Sequence, residues 1–208
     1  MDTFTINLPV RPLLALREFA GNKDIRNYLN GVGLEVGPAG AFLSASNGHV
    51  LGVACLSECP ANVQAQFVIP RRLIDRLKPS PLDVVLTASR EPDNDGPGWR
   101  VELDTLEGRI SDLVAADVVV QWRNHVPRGV SGIAGQFHQA VLSTLVRASK
   151  ALHGGAHPPM TISHNGPHDA ALVGFGVCDF FGVAMPMRTE AMPAPPEWVD
   201  ARPAMLAA

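Results

Sequence analysis

Cysteine and aromatic residues are scarce in this 208-residue chain, and long apolar runs are missing. Three cysteines, Cys55, Cys59 and Cys178, are too few for a disulfide framework and read as reduced, intracellular thiols. Cys55 and Cys59 lack the second ligand pair that a zinc site needs, so the pair reads as core plus loop. No apolar stretch is long enough to span a bilayer, and the N-terminus has no basic segment followed by an apolar run. A membrane partner is therefore not expected, and the expected setting is cytoplasmic. Catalytic signatures are missing too. Gly31-x-Gly33 follows no strand-to-helix pattern, no Gly-x-Ser-x-Gly elbow exists, and nothing pairs acids such as Asp112 and Asp117 in a site. The sequence presents no case for an enzyme.

What is present is a polarised globular chain. Hydrophobic residues make up 46%, enough for a real core, and 19 glycines with 18 prolines imply many turns. The length allows one large domain or two small ones. Net charge is -3, which argues against a generic nucleic-acid binder, but its distribution is uneven. Residues 91–117 carry two bases and eight acids, whereas residues 118–188 carry five bases and two acids. A chain of this kind still binds DNA if its few bases share one face.

Apolar periodicity divides the chain into three similar runs. Thr3–Leu8 reads as a strand and Arg11–Ala20 as a short helix with Pro12 in its first turn; Val32–Val36, Ala41–Ala45 and Val50–Cys55 then read as strands. The order repeats with strand Gln64–Ile69, helix Pro70–Leu77, and strands Val84–Thr87, Trp99–Leu103 and Gly108–Asp112, with Glu91–Gly98 as an exposed loop. A connector over 118–127 leads to a third run: a possible strand at Val130–Ala134, helix Gln136–Leu152, and strands Met160–Ser163, Ala171–Phe175 and Phe180–Met187. Residues 189–208 are rich in Pro and Ala and read as a disordered tail. Three β-α-β-β-β units with largely antiparallel sheets and helices on one face make an α+β fold.

The helices concentrate the bases. In the third, Phe137, Val141, Leu145, Ala148 and Leu152 form an inward stripe, with Gln139, Ser143, Arg147 and Lys150 opposite. The second carries Arg71, Arg72, Arg76 and Lys78 against one acid; the first region adds Arg11, Arg17, Lys23 and Arg26. A solvated face or a phosphate-facing one would both look like this. The acidic block falls on strands and loops, so helices turned toward DNA would keep acids away from it.

Four strings carry a resemblance. Lys23-Asp24-Ile25-Arg26-Asn27-Tyr28-Leu29-Asn30-Gly31-Val32, Ala45-Ser46-Asn47-Gly48-His49-Val50-Leu51, Val120-Gln121-Trp122-Arg123-Asn124-His125-Val126-Pro127 and Val183-Ala184-Met185-Pro186-Met187-Arg188, in this order, are similar to segments of the bacterial DNA polymerase sliding clamp, the beta subunit of DNA polymerase III. The second resembles that family's Ala-Thr-Asp-Gly-His-Arg-Leu turn, the third its Pro-Asp-Tyr-Arg connector, the fourth its C-terminal strand. The resemblance implies a DNA-clamp-like fold and a non-catalytic processivity protein with no cofactor and no metal. It implies a partner-peptide pocket lined by Tyr28, Leu29, Ser46, Gly48, His49, Leu51, Val120, His125, Val183, Met185, Pro186 and Met187, and bases that face duplex DNA, here Arg17, Arg26, Arg71, Arg72, Arg76, Lys78, Arg147 and Lys150.

Departures accompany the likeness. Asn47 and Val50 stand where the turn has Asp and Arg; Val120 and Gln121 replace Pro-Asp; His125 replaces a small apolar residue. A clamp subunit has six units, and this chain has three. The expected division is a clamp-type domain over 1–127 with its two helices side by side, a half-domain over 128–188 whose sheet continues a neighbour's, and the tail. Four copies would reach the twelve units of a ring, so a homo-oligomer is expected. The implied partners are duplex DNA, without sequence preference, and replication or repair proteins carrying short apolar peptides. The alternative is an interaction protein that binds such partners without encircling DNA. A third reading, a metal-dependent enzyme, would use His153, His157, His164 and His168, but Gly154, Gly155, Pro158, Pro159, Gly166 and Pro167 break the helices that would align them.

Overall fold

The computed structural model describes residues 3–93, 96–115 and 118–188. Strict alternation sends Phe4, Ile6 and Leu8 of β1 (Thr3–Pro9) into the core. Pro9, extended, leads into α1 (Val10–Phe19), which buries Val10, Leu13, Leu14, Ala15, Leu16 and Phe19 and is covered on most sides. Strands β2 (Gly31–Gly37), β3 (Gly40–Ser46) and β4 (Val50–Cys55) follow. The second run is β5 (Ala65–Pro70), α2 (Arg71–Ile74), β6 (Asp83–Asp93), β7 (Gly96–Thr105) and β8 (Gly108–Ala115). The third is α3 (Gln139–Leu152), β9 (Thr161–Ser163), β10 (Ala171–Gly174) and β11 (Phe180–Ala184).

Every strand pair is antiparallel. One sheet has the order β1-β6-β7-β8, the other β5-β2-β3-β4-β11-β10-β9. The first two units exchange their opening strands. β1, which precedes α1, pairs with β6, which follows α2; β5, which precedes α2, pairs with β2, which follows α1. The third unit joins the first through β4 and β11, with Gly182 opposite Gly52 and Val183 opposite Leu51. The fold is α+β with antiparallel sheets, as the sequence indicates.

Several details differ from the sequence reading. Val130–Ala134 is not a strand: Gly132 adopts a left-handed φ of 75°, and the segment bonds irregularly to the loop after β9. The expected loop at Glu91–Gly98 is instead the end of a long hairpin, with pairing that reaches Asp93 and Gly96. α3 begins at Gln139 because His138 caps it, its Nδ1 accepting from the Ala140 N–H at 3.1 Å. α1 meets α2, where Arg71 Nη1 donates to the Arg17 and Ala20 carbonyls, but α2 is a single turn, and the longer contact of α1 is with α3. Cys55 is exposed rather than core. The stretch 189–208 lies outside the described residues.

The seven-stranded sheet is apolar on both faces. Toward the helices it presents Val50, Ala54, Phe180 and Ala184, which join the main core. On the other face Leu51, Val53 and Val183 form a second cluster with Leu29 and Val120. The two paired glycines make a bare patch under α1. A Cβ on Gly52 would lie 2.7 Å from Phe19 Cδ2, and one on Gly182 would lie 3.1 Å from Phe175 Cε2. Phe19, Phe175 and Phe180 pack with centroids 5.3–6.2 Å apart. The connector crosses the outer face: Trp122 lies 5.4 Å from Phe42 and 6.1 Å from Phe181, and Arg123 sits over both Trp122 and Phe42 while paired to Glu35 at 2.8 Å.

Gly52→Val therefore overpacks this contact and is expected to cost about 1–3 kcal/mol in urea unfolding. Gly37→Ala, at a position with nothing within 4 Å of the added Cβ, is expected to change stability by less than about 0.5 kcal/mol. Equal effects of the two would contradict the packing described.

Candidate functional site

The cleft is built where the loop before β2, the β3–β4 turn, the connector and the end of β11 converge. The first wall is a hydrogen-bonded loop. Gly21 N–H donates to Leu29 O at 2.7 Å, Asp24 N–H donates to Asn30 Oδ1 at 2.8 Å, and Asn30 Nδ2 donates back to Asp24 O at 2.7 Å. These bonds fix a 3-10 turn, Asn27–Leu29, which delivers Tyr28 and Leu29. Arg26 forms a two-pronged pair with Asp24, at 3.0 Å on each prong. Side-chain and backbone hydrogen bonds from Arg26 hold the Asp24 carboxyl down at about 2.

The second wall is the turn at Ser46–Val50. Ser46 Oγ donates to Val50 O at 2.7 Å and accepts from Gly48 N–H at 3.0 Å. Asn47 Oδ1 accepts from the N–H groups of His49 and Val50 at 3.0 and 3.1 Å. An uncharged amide oxygen thus holds this turn, as a carboxylate would. Gly48 is required at a φ of 90°, and the Arg26 guanidinium lies 3.3 Å from where its Cβ would be. Val50 is 2% exposed and belongs to the core.

Beyond β11 the chain continues as Met185–Met187. Met185 N–H donates to His49 O at 2.9 Å, and Met187 N–H to Gln136 O at 2.6 Å. Between these walls lies a cleft of about 270 Å³, lined by Arg26, Tyr28, Leu29, Ser46, Gly48, His49, Val50, Leu51, Val120, His125, Val183 and Met185. Its floor is buried and apolar: Leu29, Leu51, Val120 and Val183 are each at most 8% exposed. Met185, 44% exposed, stands at the rim with His49 and His125. A second cavity of about 750 Å³ adjoins it, sharing Gly48, His49 and Met185 and adding Asn47, His138, Ala140, Val141, Thr144, Pro186, Met187 and Arg188.

Ten of the twelve residues expected to line one pocket do line one cleft, while Pro186 and Met187 line its neighbour. Sequence reasoning missed Arg26 and Val50 as cleft residues. It also missed the α3 side of the second cavity, because only tertiary packing sets His138, Val141 and Thr144 beside Met187.

The bases are less free than the sequence implies. Arg17 pairs with Glu18 and Asp75, Arg71 with Asp75, Arg72 with Asp112, Lys78 with Glu107, and Arg147 with Glu18. Arg71 Nη1 also donates to the Arg17 and Ala20 carbonyls. Arg26 belongs to the cleft rather than to the helical face. Among the described residues only Arg76 and Lys150 of the eight candidates have no ion pair. The acidic block nevertheless meets these bases: Asp112 and Glu107 belong to it, and β8 packs on α2. Separation along the chain is not separation in space.

Two of the four histidines in the 153–168 segment make structural contacts. His153 Nε2 hydrogen-bonds Phe175 O at 2.8 Å; His164 stacks on Phe137 and accepts from Gly135 N–H at 3.3 Å. Among the described residues no three His, Cys, Asp or Glu side chains gather as a metal site would require, and no helix is long and apolar enough to cross a membrane.

No protein-family model matches the sequence, and no curated protein matches it. Solved structures do. A DNA polymerase sliding clamp from Pseudomonas aeruginosa superposes with a TM-score of 0.62 at 17% identity, covering 90% of this chain and 66% of that one. The chain has the sliding-clamp fold. The polymerase III beta of Caulobacter crescentus gives a TM-score of 0.63 at 15% identity, over 91% of this chain and 68% of the other. The DNA polymerase III beta subunit of Thermotoga maritima gives 0.59 at 12%, over 89% and 65%. The chain spans about two thirds of the length of these sliding clamps.

Within this sliding-clamp fold, Glu18 joins α1 to α3. Burial alone would raise its pKa, but hydrogen bonds from Arg17 and Arg147 outweigh that and hold it below the ordinary 4.5. A depressed carboxylate contributes stability that is fully present above its unfolded pKa and lost as pH falls through the folded one. The wild type should therefore exceed Glu18→Gln in urea-unfolding stability at about pH 6, with the gap closing toward about pH 3. Parallel curves over that range would exclude the linkage.

Proposed function

We propose that this chain is a non-catalytic, sliding-clamp-like replication protein that holds short apolar peptides of replication or repair proteins in the Leu29–Leu51–Val183 cleft. The supporting observation is the cleft itself: a buried aliphatic floor, an exposed methionine at the rim, and two histidines able to bond a peptide backbone. Aliphatic and methionine surfaces repack around varied side chains, which suits a site with several partners. The proposed setting is the cytoplasm, and the proposed assembly a homo-oligomer. A peptide with spaced Leu or Phe residues is expected to bind with micromolar affinity, about -8 kcal/mol. Met185→Ala should weaken it by about 1–3 kcal/mol if Met185 anchors the ligand. Calorimetric titration that finds equal affinity for wild type and variant would remove Met185 from the site; no binding by either would end the peptide reading.

Duplex DNA is the second proposed partner. Among the described residues Arg76 and Lys150 are exposed and without an ion pair, and the ion pair of Lys78 with Glu107, exposed on both sides, is weak enough to yield to phosphates, whereas Arg72 and Arg147 are held by partly buried carboxylates. Binding should be sequence-independent and fall steeply with salt, and Arg76→Glu with Lys150→Glu should abolish it. The competing reading, a protein that binds the same partners without encircling DNA, is favoured by the carboxylates set against most of the helical bases. Fluorescence anisotropy and retention on circular duplex at low salt separate the two: no affinity by the wild type leaves only the interaction protein.

A further inference from the structure

The third unit is unfinished, and the first two show what would finish it. In each of them the strand after the helix has its outer edge covered by the opening strand of the other unit: β5 covers β2, and β1 covers β6. β9 occupies the same place after α3, but it ends its sheet, and its outer edge pairs with nothing among the described residues. Burial follows. β2 hides five of its seven residues, whereas Thr161 is exposed and Ile162 and Ser163 are half-buried. The chain before α3 has the position of an opening strand yet pairs with no sheet. It carries exposed Val130 and Ile133, at 62% and 61%, and three irregular backbone bonds hold it to His164 and Gly166. On α3, Leu142 and Val146, one turn apart, are 40% and 46% exposed on the side away from the core.

We infer that a second copy of this chain completes the unit: residues 130–134 of each copy lie along β9 of the other, and the two α3 helices meet through Leu142 and Val146. The opening strands of the first two units are already used, and a second copy brings both a segment 130–134 that pairs with no sheet among the described residues and an equally open β9 edge. The exchange is reciprocal, as the β1 and β5 exchange is, and a two-fold axis satisfies both copies at once. It replaces three irregular bonds with a strand ladder and covers the open edge of β9, which would otherwise template unwanted pairing. The interface rests on the fold alone, not on the cleft's taking a peptide.

Sedimentation velocity of the full chain from low to high micromolar concentration tests this. The wild type should show a reversible monomer–dimer equilibrium. Leu142→Glu with Val146→Glu should weaken it by about a hundredfold or more, because four carboxylates would face one another across the axis. The melting temperature of the monomer should hardly change, since both side chains are exposed in it. Hydrogen exchange on the wild type supplies a readout that needs no variant: the amides of Thr161–Ser163 should gain protection as the dimer forms. A chain that stays monomeric, a dimer untouched by the double substitution, or β9 amides that exchange equally in both states would each overturn the inference.

Discussion

Five residues of β4 paired with five of β11 hold the third unit against the first. Val50–Ala54 and Phe180–Ala184 lie about 130 positions apart in sequence, yet their ladder joins the third unit to the first and makes one sheet of seven strands. Everything near the cleft follows from that seam. Leu51 and Val183 are directly opposite each other, so the floor of the cleft consists of the seam's own outward side chains. Met185, just past the last pair of the ladder, is tied to His49, which stands just before its first.

The two faces of this sheet do different work. The inner face is closed by α1, whose apolar residues reach almost around the helix. Among the described residues the outer face carries no α-helix and is covered by the connector, through Val119, Val120 and the Trp122–Arg123 pair. That cover is partial. Where the connector stops, the cleft begins, its floor buried and its rim marked by exposed Met185, His49 and His125.

Much of this architecture is legible in the amino-acid sequence. The alternation in Thr3–Leu8 and the spacing of Val141, Leu145, Ala148 and Leu152 are local signals, and the elements lie where those signals lie. The cleft residues are legible only through the resemblance, because Leu29, Leu51 and Val183 look like ordinary core in isolation. Three features are not legible. The ion pairs of Arg72 and Lys78 depend on β8 lying against α2, which no local pattern encodes. The packing of α1 along α3 joins elements far apart in the chain, and α2 is one turn long although Pro70–Leu77 has the composition of a longer helix. The failure of Val130–Ala134 to form a strand reflects the left-handed Gly132 and the absence of a neighbour along its length, not a lack of apolar residues.

The two opposed glycines under Phe19 act as a register lock. A slip of β11 by one residue would bring Phe181 or Val183 beneath Phe175 and Phe19 in place of Gly182, where a single methyl would already lie 3.1 Å from Phe175 and 3.5 Å from Phe19. The same slip would turn the floor of the cleft inward and send Phe180 and Ala184 out to solvent, since a shift of one reverses every side chain of a strand. Phe19 and Phe175 on the inner face thus set which residues line the cleft on the outer one.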